Sequence, residues 1–310
     1  MTKSAKAFAP GAISSFFQIH DSKASKPLTD LNRIGSVGGG FGLEKGVYTI
    51  VNVEKTKKNS VLVLINGKEN HAKTTHHIIK TLLAKTDENY AVKVEHQIEV
   101  PIGMGFGTSA GGALTAGLAL KEAVDLPLTY NQIGQAAHIA EIQCQTGLGT
   151  VSSLTSGSGL ILVTEPGAPG FCKTDRIPIS PSLVVVVGYC PLIISKKPVF
   201  TSPEKKEEIN RQGKKTLRAI LAKPSLENFL VQCKLFSEKS GYSTETVRNL
   251  IKAAEQAGAV GAAQNMIGEA VHAVVYEQYA YGVEEAFKQI LPKEQVFKSR
   301  IDFQGARLIK

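Results

Sequence analysis

Residues 101–112, Pro-Ile-Gly-Met-Gly-Phe-Gly-Thr-Ser-Ala-Gly-Gly, hold the side chains and spacings best suited to chemistry. Gly103, Gly105 and Gly107 let the backbone approach a ligand closely. Thr108 and Ser109 place hydroxyls where a helix must begin, because an Ala/Leu/Gly run follows as far as Lys121. There they cap the helix or meet a phosphate or its metal ion. The preceding stretch, Val92 to Val100, alternates apolar and polar residues as a strand requires. Strand, Gly-rich loop and helix N-terminus in that order make an anion site, since free N–H groups and the positive dipole end face the ligand.

Other chemistries compete for the same residues. Gly107-Thr108-Ser109-Ala110-Gly111 fits G-x-S-x-G, the nucleophile elbow of a serine hydrolase. Such an enzyme would leave Pro101, Gly103 and Gly105 without a role and lacks an HGGG-type segment upstream. Its triad would need an Asp and a His after Ser109. Asp175 and His272 stand in that order, which alone does not make a triad. The lysine-bearing loop G-x-x-x-x-G-K-[ST] does not occur. A Gly-rich turn that merely packs a helix on a sheet is the remaining alternative.

The elements that must position this loop read as follows. Residues 5–21 start strand-like, with a turn at Pro10-Gly11. His20-Asp21 follows an apolar segment and is either a surface pair or a functional one. Five glycines between Gly35 and Gly42 predict close approach to a ligand or another backbone, or a flexible hairpin loop. Strands follow around residues 47–54 and 60–68. A helix spans His71 to Lys85, with Ile78, Ile79, Leu82 and Leu83 on one face. Thr129 or Asn131 caps the next helix, which carries Glu141 deep in weakly charged surroundings. A Glu there faces solvent unless a cation balances it inside. Gly147 to Thr150 ends that helix, residues 152–159 read as a loop, and residues 160–165 as a strand. Pro166 to Gly170 is the strongest punctuation and marks a domain boundary. Beyond it, residues 182–190 predict a buried strand. Three helices follow, then a Gly/Ala-rich turn into a helix over 258–276, a helix over 283–291, and a last strand over 297–309.

Composition bounds the function. The 310 residues suffice for one large or two ordinary domains, and 43% hydrophobic with 20% charged residues describe a globular protein. No apolar run of about 18 residues exists, so no membrane span is expected. The N-terminus has no sustained apolar core before Pro10, unlike a signal peptide. Cys144, Cys172, Cys190 and Cys233 are widely spaced and read as reduced thiols of a cytoplasmic protein. The net charge of +9 raises nucleic-acid binding, but the lysines are scattered, with no basic stripe interleaved with aromatics. A lysine-rich surface around an anion-seeking site accounts for the charge.

Three separated segments carry a resemblance over almost the whole chain. Residues 10–17, PGAISSFF, resemble the first motif of the GHMP kinases; 101–112 resemble the second; and 258–268, GAVGAAQNMIG, resemble the third. Within that superfamily the chain most resembles the archaeal pantoate kinases, through GSVGGG at 35–40, AHIAEIQCQTGLGT at 137–150, EPGAPG at 165–170 and CPL at 190–192. The resemblance implies an α+β, two-domain GHMP kinase fold. A domain like ribosomal protein S5 domain 2 would span 1–166, and a ferredoxin-like domain, 167–310, would close the substrate cleft. ATP would lie with its phosphates on Pro101, Gly103, Gly105, Gly107, Thr108, Ser109 and Ala110. Mg²⁺ would sit on Ser109 and Glu141, the residues expected to be catalytic. The acceptor, pantoate, would meet His20, Ser36, Gly38, Gly39, Thr150 and Asn265. Homoserine or mevalonate are alternative acceptors, a nucleotide-binding regulator without catalysis is another reading, and monomer or homodimer stays open. The product would be 4-phosphopantoate, on the archaeal route to coenzyme A.

Two departures stand out. The family's TGLGDV segment carries an Asp as catalytic base, whereas this chain has Thr150 there. Thr cannot accept a proton at neutral pH. The family's GSRGAG segment favours an Arg where this chain has Val37. His20 and Asp21 are therefore expected to substitute near the acceptor hydroxyl, unless the site runs without a base.

Overall fold

The computed structural model describes residues 3–23, 26–191, 202–266 and 268–310. Leu192 of the CPL segment and Ile267 of the third motif lie outside the described residues. In chain order the first half comprises β1 (Lys3–His20), the short ribbon β2 (Ser22–Lys23) and β3 (Lys26–Pro27), and β4 (Gly35–Lys55). It continues through β5 (Ser60–Ile65), β6 (Lys68–Glu69), α1 (Lys73–Leu83), β7 (Tyr90–Ile98), α2 (Thr108–Val124), α3 (Tyr130–Cys144), α4 (Thr150–Ser156) and β8 (Leu160–Glu165). The second half holds β9 (Lys173–Ile177), β10 (Leu183–Tyr189), α5 (Pro203–Ala222), α6 (Leu226–Lys239), α7 (Glu245–Gln256), β11 (Gly261–Gln264), β12 (Ala270–Tyr276), α8 (Ala280–Lys288), β13 (Val296–Arg300) and β14 (Arg307–Ile309).

Pro10-Gly11 is not a turn. β1 runs through it, antiparallel to β4, and the register jumps from Pro10↔Gly46 to Gly11↔Leu43. A proline has no N–H for the ladder and is tolerated at such an irregularity. A second shift leaves Ser15 without a register partner between Ser14↔Gly40 and Phe16↔Gly39. The glycine run of β4 is strand rather than flexible loop. It allows close backbone approach: a Cβ on Gly40 would lie 1.8 Å from the Ile13 carbonyl oxygen, and one on Gly38 2.5 Å from that of Phe16.

These strands form an eight-stranded sheet in the order β14-β1-β4-β7-β5-β6, with β8 pairing β4 and β9. α1, α2 and α3 pack on one another, and α1 and α2 also pack on strands of this sheet, burying Ile78, Leu82, Leu114 and Leu118 with Val51 and Val92. Residues 152–159, expected as a loop, supply most of α4. Its hydroxyls bond back along the helix, Thr155 to the Val151 carbonyl and Ser156 to that of Ser152, so a Ser/Thr-rich segment stays helical.

The second sheet is four-stranded, β11-β12-β10-β13, with antiparallel neighbours. Strand, helices, two strands, helix, strand in that order is the ferredoxin-like arrangement. Where a turn into a helix is expected over 258–276, β11 and β12 pair antiparallel instead. Ala262, Ala263, Val271, Ala273, Val274 and Val275 are all buried, so both faces of these strands are covered and no amphipathic period survives to read. The expected last strand is two strands in two different sheets. Between them the Asp302 carboxylate accepts the N–H groups of Gln304 and Gly305, and Gly305 has φ 89°, turning the chain. β9 and β14 both lie beyond residue 167 yet belong to the first sheet. A shared core, with Phe16 and Phe41 against Phe229 and Phe236, joins the layers.

Candidate active site

β7 delivers the chain to the glycine loop, where Gly103, Gly105 and Gly107 have φ values of 83°, 82° and 61°. Only glycine holds that left-handed backbone without strain. Gly107 is the residue before α2, and no side chain caps the helix. Thr108 and Ser109 lie inside the first turn, so their hydroxyls are not spent on capping. The Ala12 N–H bonds the Phe106 carbonyl at 2.9 Å and ties the loop to β1. Behind Gly105 stand the Met266 carbonyl oxygen and Asn265 Cβ, 3.1 and 3.3 Å from where a Cβ would be; behind Gly107 stands Thr150 Cγ2, at 2.6 Å. Ala110 is fully buried and offers only backbone.

α3 is capped by Thr129, not Asn131: Thr129 Oγ1 accepts the Gln132 N–H, and the Gln132 side chain accepts that of Thr129. Its last turn carries Glu141 inward, 1% exposed, rather than toward solvent. Ser109 Oγ donates to Glu141 Oε1 at 2.6 Å, and Thr146 Oγ1 donates to the same oxygen at 3.0 Å. Gly147 leaves room for this carboxylate, since a Cβ there would meet Oε2 at 2.4 Å. Thr146 went unnoticed in the sequence because its role depends on the chain turning back after Gln145, which has φ 57°.

These groups open on a cleft of about 370 Å³, lined by Gly103, Gly105 to Ser109, Glu141, Thr146 to Thr150, Ser14, Phe17 and Ser36. Glu141 is the sole titratable side chain among its described lining residues. A smaller pocket of about 50 Å³ adjoins it, sharing Ser14, Phe17, Ser36, Gly149 and Thr150, and also lined by Gly38 and Gly39. On the other side of Ser109 a further cavity of about 370 Å³ is bounded by Asn70, His71, Lys73, His96, Ile98 and Ile102. Residues 70–73 gave no such signal in the sequence, where they read only as the start of a helix.

His20 and Asp21 do not line the cleft. His20 ends β1 opposite Gly35, and its Nε2 is buried without a hydrogen bond. Burial lowers its pKa, with Asp21 acting in the opposite direction. Asp21 is taken by an ion pair with Lys206 of α5. Asn265 is fully buried behind Gly105 rather than in the cleft. A hydrolase triad has no support: the ring nitrogens of His272 bond Ser15 and Asn265, while Ser109 bonds Glu141. The described residues contain no cluster of three or more His, Cys, Asp or Glu side chains that could hold a metal ion. No described helix is long and apolar enough to cross a membrane.

Residues 70–158 match the family model of the GHMP kinases N terminal domain. Over 292 residues the chain is 31% identical to a pantoate kinase from Thermococcus kodakarensis, covering 92% of this chain and 91% of that one. It is 28% identical over 270 residues to a pantoate kinase from Methanocaldococcus jannaschii, covering 86% and 91%. Among solved structures, a phosphotransferase related to the CoA biosynthesis pathway superposes with a TM-score of 0.83 at 25% identity, covering 99% of this chain and 98% of that one.

Proposed function

We propose that this chain, which belongs to the pantoate kinase family of the GHMP kinases, transfers the γ-phosphoryl group of ATP to a hydroxyl of (R)-pantoate, giving 4-phosphopantoate for coenzyme A biosynthesis. The observation that carries this reading is the 31% identity to a pantoate kinase across nine-tenths of both chains, beside a loop whose geometry suits phosphate.

Phosphoryl transfer needs positioning and charge neutralisation more than covalent chemistry from the protein. The uncapped N–H groups at the start of α2 and the backbone of Gly103 to Gly107 hold the phosphates. The cavity beside Asn70, His71 and Ile98 takes the nucleoside, because it shares Thr108 and Ser109 with the cleft. The acceptor lies in the cleft and its side pocket, against Ser36, Gly38, Gly39 and Thr150.

Ser109 Oγ and the Glu141 carboxylate, 2.6 Å apart, are hard oxygen donors of the kind Mg²⁺ prefers, and too few to displace all its water. Mg²⁺ held by these two residues would neutralise phosphate charge. Thr146 orients Glu141 through its 3.0 Å bond. Thr150 contributes a hydroxyl to the acceptor side but no base. The acceptor hydroxyl therefore loses its proton late, to the transferred phosphoryl group or to water, which a loose transition state permits.

A coupled assay of ADP release with Mg²⁺, run across pantoate, homoserine, mevalonate and shikimate, tests the reading. Turnover confined to pantoate is expected. Turnover of another acceptor with none above background for pantoate would overturn it.

A further inference from the structure

We propose that His272 is a positioning residue for the phosphate loop, acting through a buried Ser15–His272–Asn265 relay that holds Asn265 and Met266 against Gly105. The proposal rests on the reading that residues 103–110 hold the phosphates of a nucleotide.

His272 is fully buried in β12, the strand between β11 and β10. Its Nδ1 lies 2.7 Å from Asn265 Oδ1, and its Nε2 lies 2.9 Å from Ser15 Oγ. An amide oxygen only accepts, so the ring proton sits on Nδ1, and bare Nε2 accepts the Ser15 hydroxyl. The tautomer is thereby fixed. Burial keeps the ring neutral, with a pKa pushed down to about 3.

The relay ends where the phosphate loop needs support. Ser15 is the residue left out of the β1–β4 register, and an irregularity of this kind re-aims a side chain. Here it sends the hydroxyl from the first sheet to the second. Its neighbour Ser14 lines the cleft and accepts the Met266 N–H at 2.7 Å. Asn265 and Met266 fill the space behind Gly105, and Gly268 abuts the Met104 carbonyl, where a Cβ would come within 3.1 Å. Asn265 Nδ2 is buried without a partner, so the bond to His272 is the hydrogen bond that holds the carboxamide. Losing it would free the residue that backs Gly105. Displacing groups that position a phosphate by a fraction of an ångström weakens binding without altering the fold.

The test compares wild type, His272→Leu, Ser15→Ala and His272→Gln by calorimetric titration with Mg-ADP and by steady-state kinetics. His272→Leu is expected to weaken Mg-ADP binding and raise the KM for ATP about tenfold, with kcat at saturating ATP and the acceptor KM within about threefold. His272→Gln keeps one donor and one acceptor and should recover part of the loss. Nucleotide affinity unchanged in His272→Leu, with damage confined to Tm, would overturn the proposal. Should that variant not fold, Ser15→Ala removes one link and little volume, and the same affinities decide. A wild type that binds Mg-ADP but ignores pantoate would fault the acceptor assignment and leave this comparison intact.

Discussion

Ser109 Oγ donates a 2.6 Å hydrogen bond to Glu141 Oε1, tying the first turn of α2 to the last turn of α3. Two helices thus bring a hydroxyl and a buried carboxylate to the mouth of the phosphate loop. A pair that served only packing would not need a charged group 1% exposed.

Glu141→Gln separates those roles. The amide oxygen can still accept from Ser109 and Thr146, so packing survives while the charge goes. kcat is expected to fall about 10²-fold or more, because charge neutralisation at the phosphates is lost, and Tm should move by only a few degrees. The check is kcat at saturating Mg²⁺ beside a melting curve. A variant with near wild-type kcat would make the pair structural.

The loop glycines differ in what replacement should cost. Gly103 and Gly107 both have positive φ, so alanine costs each about 1–2 kcal/mol of backbone strain. At Gly103 the Cβ meets open space; at Gly107 it lies 2.6 Å from Thr150 Cγ2 and 3.0 Å from Ala12 Cβ. Gly107→Ala should therefore lower Tm clearly more than Gly103→Ala. Thr150→Ser, which removes Cγ2, should recover part of that difference. Equal melting of the two single variants would mean that the contact with Thr150 is not tight.

The loop was legible because its requirements are local: glycine spacing, a preceding strand and a following helix are written in consecutive residues. Glu141 was legible only through resemblance. Helical spacing cannot tell an inward Glu from a solvent-facing one when most of the helix is Ala, Gly and Gln. Thr146, Ser14 and the cavity near Asn70 could not be read, since each depends on where distant segments meet. The pairing of β11 and β12 misled for a related reason: small apolar residues buried on both faces carry no period. His20 looked catalytic beside Asp21, but the ladder places it opposite Gly35, outside the cleft.

Two buried histidines should make stability depend on pH. Burial lowers His96 to about 4 and His272 to about 3, from an ordinary value of 6.5. Below about pH 6.5 the unfolded chain binds protons that the folded chain refuses, so stability is complete above that pH and falls as pH drops toward the folded values. Each histidine contributes a slope of about 1.4 kcal/mol per pH unit within that window. Tm should therefore decline from pH 6.5 to 4.5, and His96→Asn should flatten the decline although it weakens the fold at pH 7. His96 bonds Thr49 and Thr75, so the variant starts from a lower Tm. An undiminished slope would show that other groups control acid stability.

Thr150 stands where the resemblance to the GHMP kinases led to the expectation of an Asp, and it lines both the cleft and the side pocket. Glu141, the sole titratable group among the described cleft residues, already accepts from Ser109 and Thr146. Nothing there is arranged to take a proton early. kcat should therefore stay flat between about pH 6 and 8, since among the described residues no histidine lines the cleft. His20→Ala should leave both the rate and the pH profile unchanged, as His20 does not line the cleft, its Nε2 is buried and Asp21 is held by Lys206. Thr150→Asp places a second carboxylate in the cleft beside the transferring group. It should lower kcat several-fold and raise the Mg²⁺ concentration needed for half-maximal rate, because the new charge repels phosphate and competes for the ion. The measurement is kcat against pH and Mg²⁺ for the three proteins. An acid limb that vanishes in His20→Ala would restore the substitute base. A several-fold gain from Thr150→Asp would show that position 150 still faces the acceptor hydroxyl and that the wild type forgoes a base it could use.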